Sequence, residues 1–263
     1  MSTDADNVIA VLRTGHDELT AFVGKLGPDD LTRTSAADEW TVAQVLSHLG
    51  SGAEIALGQL AAARDSTPEP GSDANPGIWA RWDAMTPQEQ AAAFPEANER
   101  LVSALEALDA SQRAGLRVEL GWMPAPVDVA TAARLRLSEF AFHRWDVEAT
   151  FDTGAQIMAP AVPELIDQVG GMASWLSKPE SLNGKEYTLA VRLTDLDRTL
   201  GLQLGEQIAK TDAPETPDGT LTLTSESLIR LIFGRLKPPY GVDAVEITGP
   251  LSLDDLRRVF PGF

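Results

Sequence analysis

Leu135-Arg136-Leu137-Ser138-Glu139-Phe140-Ala141-Phe142-His143-Arg144-Trp145-Asp146 is the stretch on which the reading of this chain turns. Glu139 and His143 stand four residues apart in it, and on a helix that spacing puts a carboxylate and an imidazole on one face, a turn apart. The same spacing serves an ordinary surface Glu–His pair, so taken alone it leaves both readings open. The chain holds only three histidines, and His48 lies in a second helical stretch. Two packed helices can therefore offer His48, Glu139 and His143 to a divalent metal. Three protein ligands leave one coordination position open, as in catalytic rather than structural zinc sites.

The stretch around His48 carries a full set of helix-start signals. Thr41 is placed as N-cap, Gln44 completes a capping box, and Trp40 and Val45 are spaced as a hydrophobic staple. The pattern predicts a helix from Val42 to about Ala63. Helices are also expected over 5–26, over 87–109 with an interruption near Phe94-Pro95, and over 129–149. In the last of these Leu135, Glu139, His143 and Asp146 share one side. Four such helices predict a bundle whose site lies between facing members. The segment 65–78, with Pro68, Pro70, Pro76, Gly71 and Gly77, reads as the longest loop. His16 reads as a surface histidine on the first helix. Asp146, three residues beyond His143, suits an acceptor that orients the imidazole, or a salt-bridge partner for Arg144 or Arg136. Trp40, Trp122, Trp145 and Trp175 suit either an aromatic pocket or a packed core.

Beyond Asp152-Thr153-Gly154 the texture changes. One helix is expected over 160–177. Period-2 runs then follow at Tyr187–Leu193, Leu200–Leu204, Gly219–Thr224 and Val245–Gly249, with helices at Ser225–Arg235 and Asp254–Phe260. The expected fold class is α+β with two domains: a helical bundle over 1–152 and a small α+β domain over 153–263.

Composition removes several functions. A net charge of −18 from 39 acidic and 21 basic residues opposes binding to nucleic acid and to anionic lipid. It leaves room for a small anionic substrate, because short contacts outweigh a screened global field. The absence of cysteine rules out disulfides and any thiol nucleophile of the protein's own. No apolar run approaches a membrane span, and the acidic start Met1-Ser2-Thr3-Asp4-Ala5-Asp6 is unlike a signal peptide, so a cytoplasmic protein is expected. There is no His-Glu-x-x-His, dinucleotide-binding glycine motif or phosphate loop.

Two motifs resemble those of a known family. Glu39-Trp40-Thr41-Val42-Ala43-Gln44-Val45-Leu46-Ser47-His48-Leu49 resembles the Trp-Thr…His signature of the mycothiol-dependent maleylpyruvate isomerase family, within the DinB-like metal-binding four-helix bundles. Ser138-Glu139 through His143-Arg144-Trp145-Asp146 resembles its Glu-x-x-x-His-x-x-Asp signature. Asp218-Gly219-Thr220-Leu221-Thr222-Leu223-Thr224, followed by a helix ending Phe233-Gly234-Arg235-Leu236, is similar to the family's sterol-carrier-like C-terminal domain. The resemblance implies a metal on His48, Glu139 and His143. Zinc is the first choice, and nickel, cobalt or iron also suit the donors. It implies mycothiol as thiol cosubstrate and a small electrophile, dicarboxylate-like, that undergoes cis–trans isomerisation. Arg81, in Ala80-Arg81-Trp82-Asp83, is the nearest match to the family's catalytic arginine, which would clamp a substrate carboxylate. A thiol S-transferase on the same site, or a non-catalytic metal- or ligand-binding module, stands as the alternative.

Overall fold

The computed structural model describes residues 4–69, 71–241 and 244–262, and it divides into two compact units between Phe151 and Asp152. The first unit begins with α1 (Asp4–Val23), the short α2 (Pro28–Leu31) and the long α3 (Val42–Asp65). A 3₁₀ turn at Ser72–Ala74 leads into α4 (Asn75–Asp83), followed by α5 (Pro87–Glu106) and α6 (Ala110–Gly115). A small antiparallel ladder of β1 (Arg117–Val118) and β2 (Val127–Asp128) then precedes α7 (Val129–Ala149). The four long helices form a ring: α3 packs on α5 and α7, and α1 packs on the same two.

Local chemistry starts the two site helices. Thr41 Oγ1 accepts from Gln44 N at 3.3 Å, and Gln44 Oε1 accepts from Thr41 N at 2.8 Å, closing the capping box at the head of α3. Asp128 Oδ1 accepts from Thr131 N at 2.7 Å and caps α7. Burial then holds α7 in place. Leu137, Phe140, Ala141, Phe142 and Trp145 are all buried, each large one contributing about 1.5–3 kcal/mol. On α3, Gly50 admits the ring of Trp82: a Cβ there would meet that ring at 2.2 Å. The absence of a side chain is what lets α4 lie so close.

Several local expectations are corrected. Helix α5 runs unbroken through Pro95, because Phe94, Ala97, Asn98 and Leu101 bury on the ring's inner side and packing outweighs the lost hydrogen bond. The segment 65–78 is not one loop, since it contains the 3₁₀ turn and the start of α4; its Pro70 lies outside the described residues. His16 is buried, at 4% exposure, and not a surface residue. Trp122 and Trp175 are exposed, so neither is a core tryptophan.

The second unit holds α8 (Val162–Leu165) and α9 (Val169–Leu176), where a single helix over 160–177 was expected. Strands β3 (Tyr187–Leu193), β4 (Arg198–Leu204), β5 (Ala209–Thr211) and β6 (Gly219–Leu223) precede α10 (Ser225–Ile232), β7 (Glu246–Thr248) and α11 (Leu253–Val259). The sheet order is β5-β4-β3-β6-β7. Among the described residues only the central β3–β6 pair of this sheet is parallel, with Leu189 opposite Gly219. Leu189, Val191, Leu221 and Leu223 point to its buried face.

Candidate metal centre

His48 lies in the second turn of α3, and its Nε2 is 3.2 Å from Glu139 Oε2 on α7. Nε2 of His143, one turn along α7, is 3.7 Å from the same oxygen. One donor atom from each residue lies within 4.8 Å of the other two. A tetrahedral ion with ligands at about 2.1 Å holds them about 3.4 Å apart, so two imidazoles and a carboxylate at these spacings suit one divalent cation.

The surroundings fix the imidazoles. Asp146 is fully buried, and its Oδ2 is 2.9 Å from His143 Nδ1. A carboxylate only accepts, so Nδ1 carries a proton and Nε2 is the nitrogen turned toward the cluster. Nearby, Arg144 bonds Glu18 and Glu148, and Arg136 bonds the oxygens of Leu49 and Asn98. Trp40 packs against both rings, with centroids 5.0 Å from His48 and 5.7 Å from His143. Glu139 stands at the mouth of the cluster with 51% of its side chain exposed, whereas His143 retains only 11%. Crowding around the carboxyl pushes its pKa up. The hydrogen bond from His48 and the fields of His143, His48 and Arg136 outweigh that, and Glu139 is held at about 2. It is ionised at any physiological pH.

Arg81 is not brought into this cluster. It lies exposed on α4, where its guanidinium and the indole N–H of Trp82 both donate to Glu54 Oε2.

The sequence reading missed Arg136, one turn before Glu139, as a residue of the site. Its Nη2 donates to Leu49 O at 2.8 Å and to Asn98 Oδ1 at 3.0 Å. Burial pushes the guanidinium down to about 10, against the field of Glu139. The signal was present as a cation three residues from the carboxylate of the cluster. Asn98 continues the network to His16 Nδ1 at 3.0 Å, and His16 Nε2 reaches Glu99 Oε2 at 2.9 Å. His16, Asp17 and Glu99 also cluster. There Arg13 already supplies the cation, bonding Glu99 at 2.6 and 2.9 Å.

A ring of helices with polar donors gathered from facing members defines the class, a helical bundle with an internal polar centre, here followed by an α+β unit. The family model described as mycothiol maleylpyruvate isomerase N-terminal domain matches residues 12–148. The chain belongs to the mycothiol-dependent maleylpyruvate isomerase family, a family of enzymes. Among solved structures it is similar to the crystal structure of the mycothiol-dependent maleylpyruvate isomerase, with a TM-score of 0.66 and 15% identity over 96% of this chain and 98% of that one. A histidine-to-alanine mutant of that enzyme matches with a TM-score of 0.65 at the same identity and coverage. At this identity the likeness shows a shared fold. No curated protein matches the sequence. Among the described residues no helix is long and apolar enough to cross a membrane.

Proposed function

We propose that the chain is a metal-dependent enzyme that uses mycothiol to act on a small electrophile, isomerising a cis double bond. The supporting observation is the convergence of His48, Glu139 and His143 donor atoms within 4.8 Å of one another. Two imidazoles and one carboxylate fit zinc first, and three ligands leave a position for a thiol. A divalent ion held there would act as a Lewis acid that lowers the pKa of a bound thiol. The chain's own residues do the rest. Asp146 keeps His143 in the tautomer that can ligate, Glu139 supplies the anionic ligand, and Trp40 walls one side of both rings. With no cysteine, the nucleophilic sulfur must come from outside. A free thiol cosubstrate fits a reducing compartment, and the cytoplasm is the proposed one. Residues 1–152 are assigned to the metal-binding domain and 153–263 to the family's C-terminal domain.

One observation favours a thiol S-transferase as the second reading. Arg81, which the isomerase reading makes a carboxylate clamp, is engaged by Glu54. Both readings need the same activated thiol, and the product separates them: a trans isomer or a stable thiol adduct.

Metal analysis followed by mycothiol titration tests the proposal. The expected result is one equivalent of metal in the purified protein, none in a folded His143→Ala variant, and turnover of electrophiles only when mycothiol is present. Stoichiometric metal retained by His143→Ala overturns the ligand set. Turnover without any thiol moves the protein to a water-activating hydrolase.

A further inference from the structure

Arg136 carries binding capacity that the metal–thiol reading does not use. Its side chain is nine-tenths buried, at 9% exposure. Nη2 bonds two neutral oxygens, those of Leu49 and Asn98. Nε is buried without a hydrogen-bond partner, and no hydrogen bond among the described residues uses Nη1. A buried cation left this way is costly unless an anion reaches it. The carboxylate nearest along the helix, Glu139, is taken by His48.

Arg136 also lines a cavity of about 40 Å³ shared with Leu60, Leu101, Val118, Val129 and Gln59. That volume holds a few water-sized groups, since one needs about 10–15 Å³. The lining residues Ala56, Leu120 and Ala132 are only half-buried, so the cavity reaches solvent. Gly52 lies against Nη1: a Cβ there would stand 2.9 Å from it. Along α3 the order is His48, Gly52, Ala56, and along α7 it is Glu139, Arg136, Ala132. Steps of three and four residues keep each set on one helix face. Arg136 thus stands between the histidine–glutamate cluster and the apolar cavity.

We propose that this cavity is an acid-binding subsite, in which Arg136 takes the carboxylate of a small monocarboxylic acid and the apolar wall takes its short carbon chain. Guanidinium N–H groups match carboxylate oxygens in geometry and charge. A second carboxylate would meet only apolar wall and the Gln59 amide, so a dicarboxylate binds more weakly. That the acid is the electrophile of the thiol chemistry rests on the function proposed above; its binding does not.

Butyrate, titrated into the full-length, metal-depleted protein and followed by calorimetry and amide chemical shifts, provides the test. Saturable binding is expected, at least tenfold tighter than for succinate or butanol. Arg136→Met should weaken it at least tenfold. Ala132→Leu, which fills the cavity without touching the arginine's hydrogen bonds, should do the same in a protein with an unchanged near-ultraviolet circular dichroism spectrum. The second variant decides the matter if the first does not fold. Absence of saturable butyrate binding, or wild-type affinity in either folded variant, overturns the subsite. Because metal is removed beforehand, this outcome is independent of whether His143→Ala loses metal.

Discussion

Asp146 touches no solvent, and its carboxylate lies 2.9 Å from Nδ1 of His143, the ring nitrogen turned away from the cluster. Asp146→Asn keeps the size and removes the charge, so the imidazole trades an acceptor-only carboxylate for an amide that can turn either its oxygen or its NH2 toward Nδ1, and its tautomer is no longer fixed. Such losses typically cost 10–100-fold in metal affinity, and chelator competition on the purified variant should show a fall in that range with helix content unchanged. Wild-type affinity would mean that Asp146 only packs. At this scale the four-residue step from Glu139 to His143 fixes their common face before any tertiary contact exists, whereas His48 joins them only through the packing of α3 on α7. The sequence did not speak for Arg136. That side chain's meaning depends on Leu49 and Asn98, 87 and 38 residues away, and no local spacing encodes such partners.

Elements meet where side chains are missing as well as where they fit. Gly50→Ala would force the Trp82 ring off α3 and should destabilise the fold by about 1–3 kcal/mol, the usual cost of overpacking, read as a lower urea midpoint. The α1–α5 seam carries a pH dependence. Burial lowers the pKa of His16, so the folded protein keeps it neutral while the unfolded chain titrates near the ordinary 6.5. A pKa depressed on folding gives stability that is complete above the unfolded value and declines as pH falls below it. The urea midpoint of the wild type should therefore drop more between pH 7.5 and 5.5 than that of His16→Gln; equal slopes would show that His16 does not titrate in that window. The helix starts at Thr41 and Asp128 follow short-range rules, whereas the burial of His16 and the continuity of α5 through Pro95 come from partners across the ring. The β1–β2 ladder escaped notice because two-residue strands leave no period to read.

For the whole molecule, the change of texture near residue 152 lies beside the division into two compact units. All donors of the candidate centre, and the two helices that carry them, fall in the first unit. Residues 1–151 expressed alone should therefore fold and bind one equivalent of zinc, as near-ultraviolet circular dichroism and metal analysis can establish; a molten fragment would show that the bundle depends on residues beyond 151. The order of long helices first and a larger sheet second was legible, because hydrophobic period switches from 3.6 to 2 along the chain. The indole of Trp40, seated within 6 Å of both imidazoles, has an optical consequence. An ion with unpaired electrons between those rings lies close enough to darken its fluorescence, so the protein carries an intrinsic lamp beside its candidate centre, dimmed by cobalt or copper and left lit by zinc.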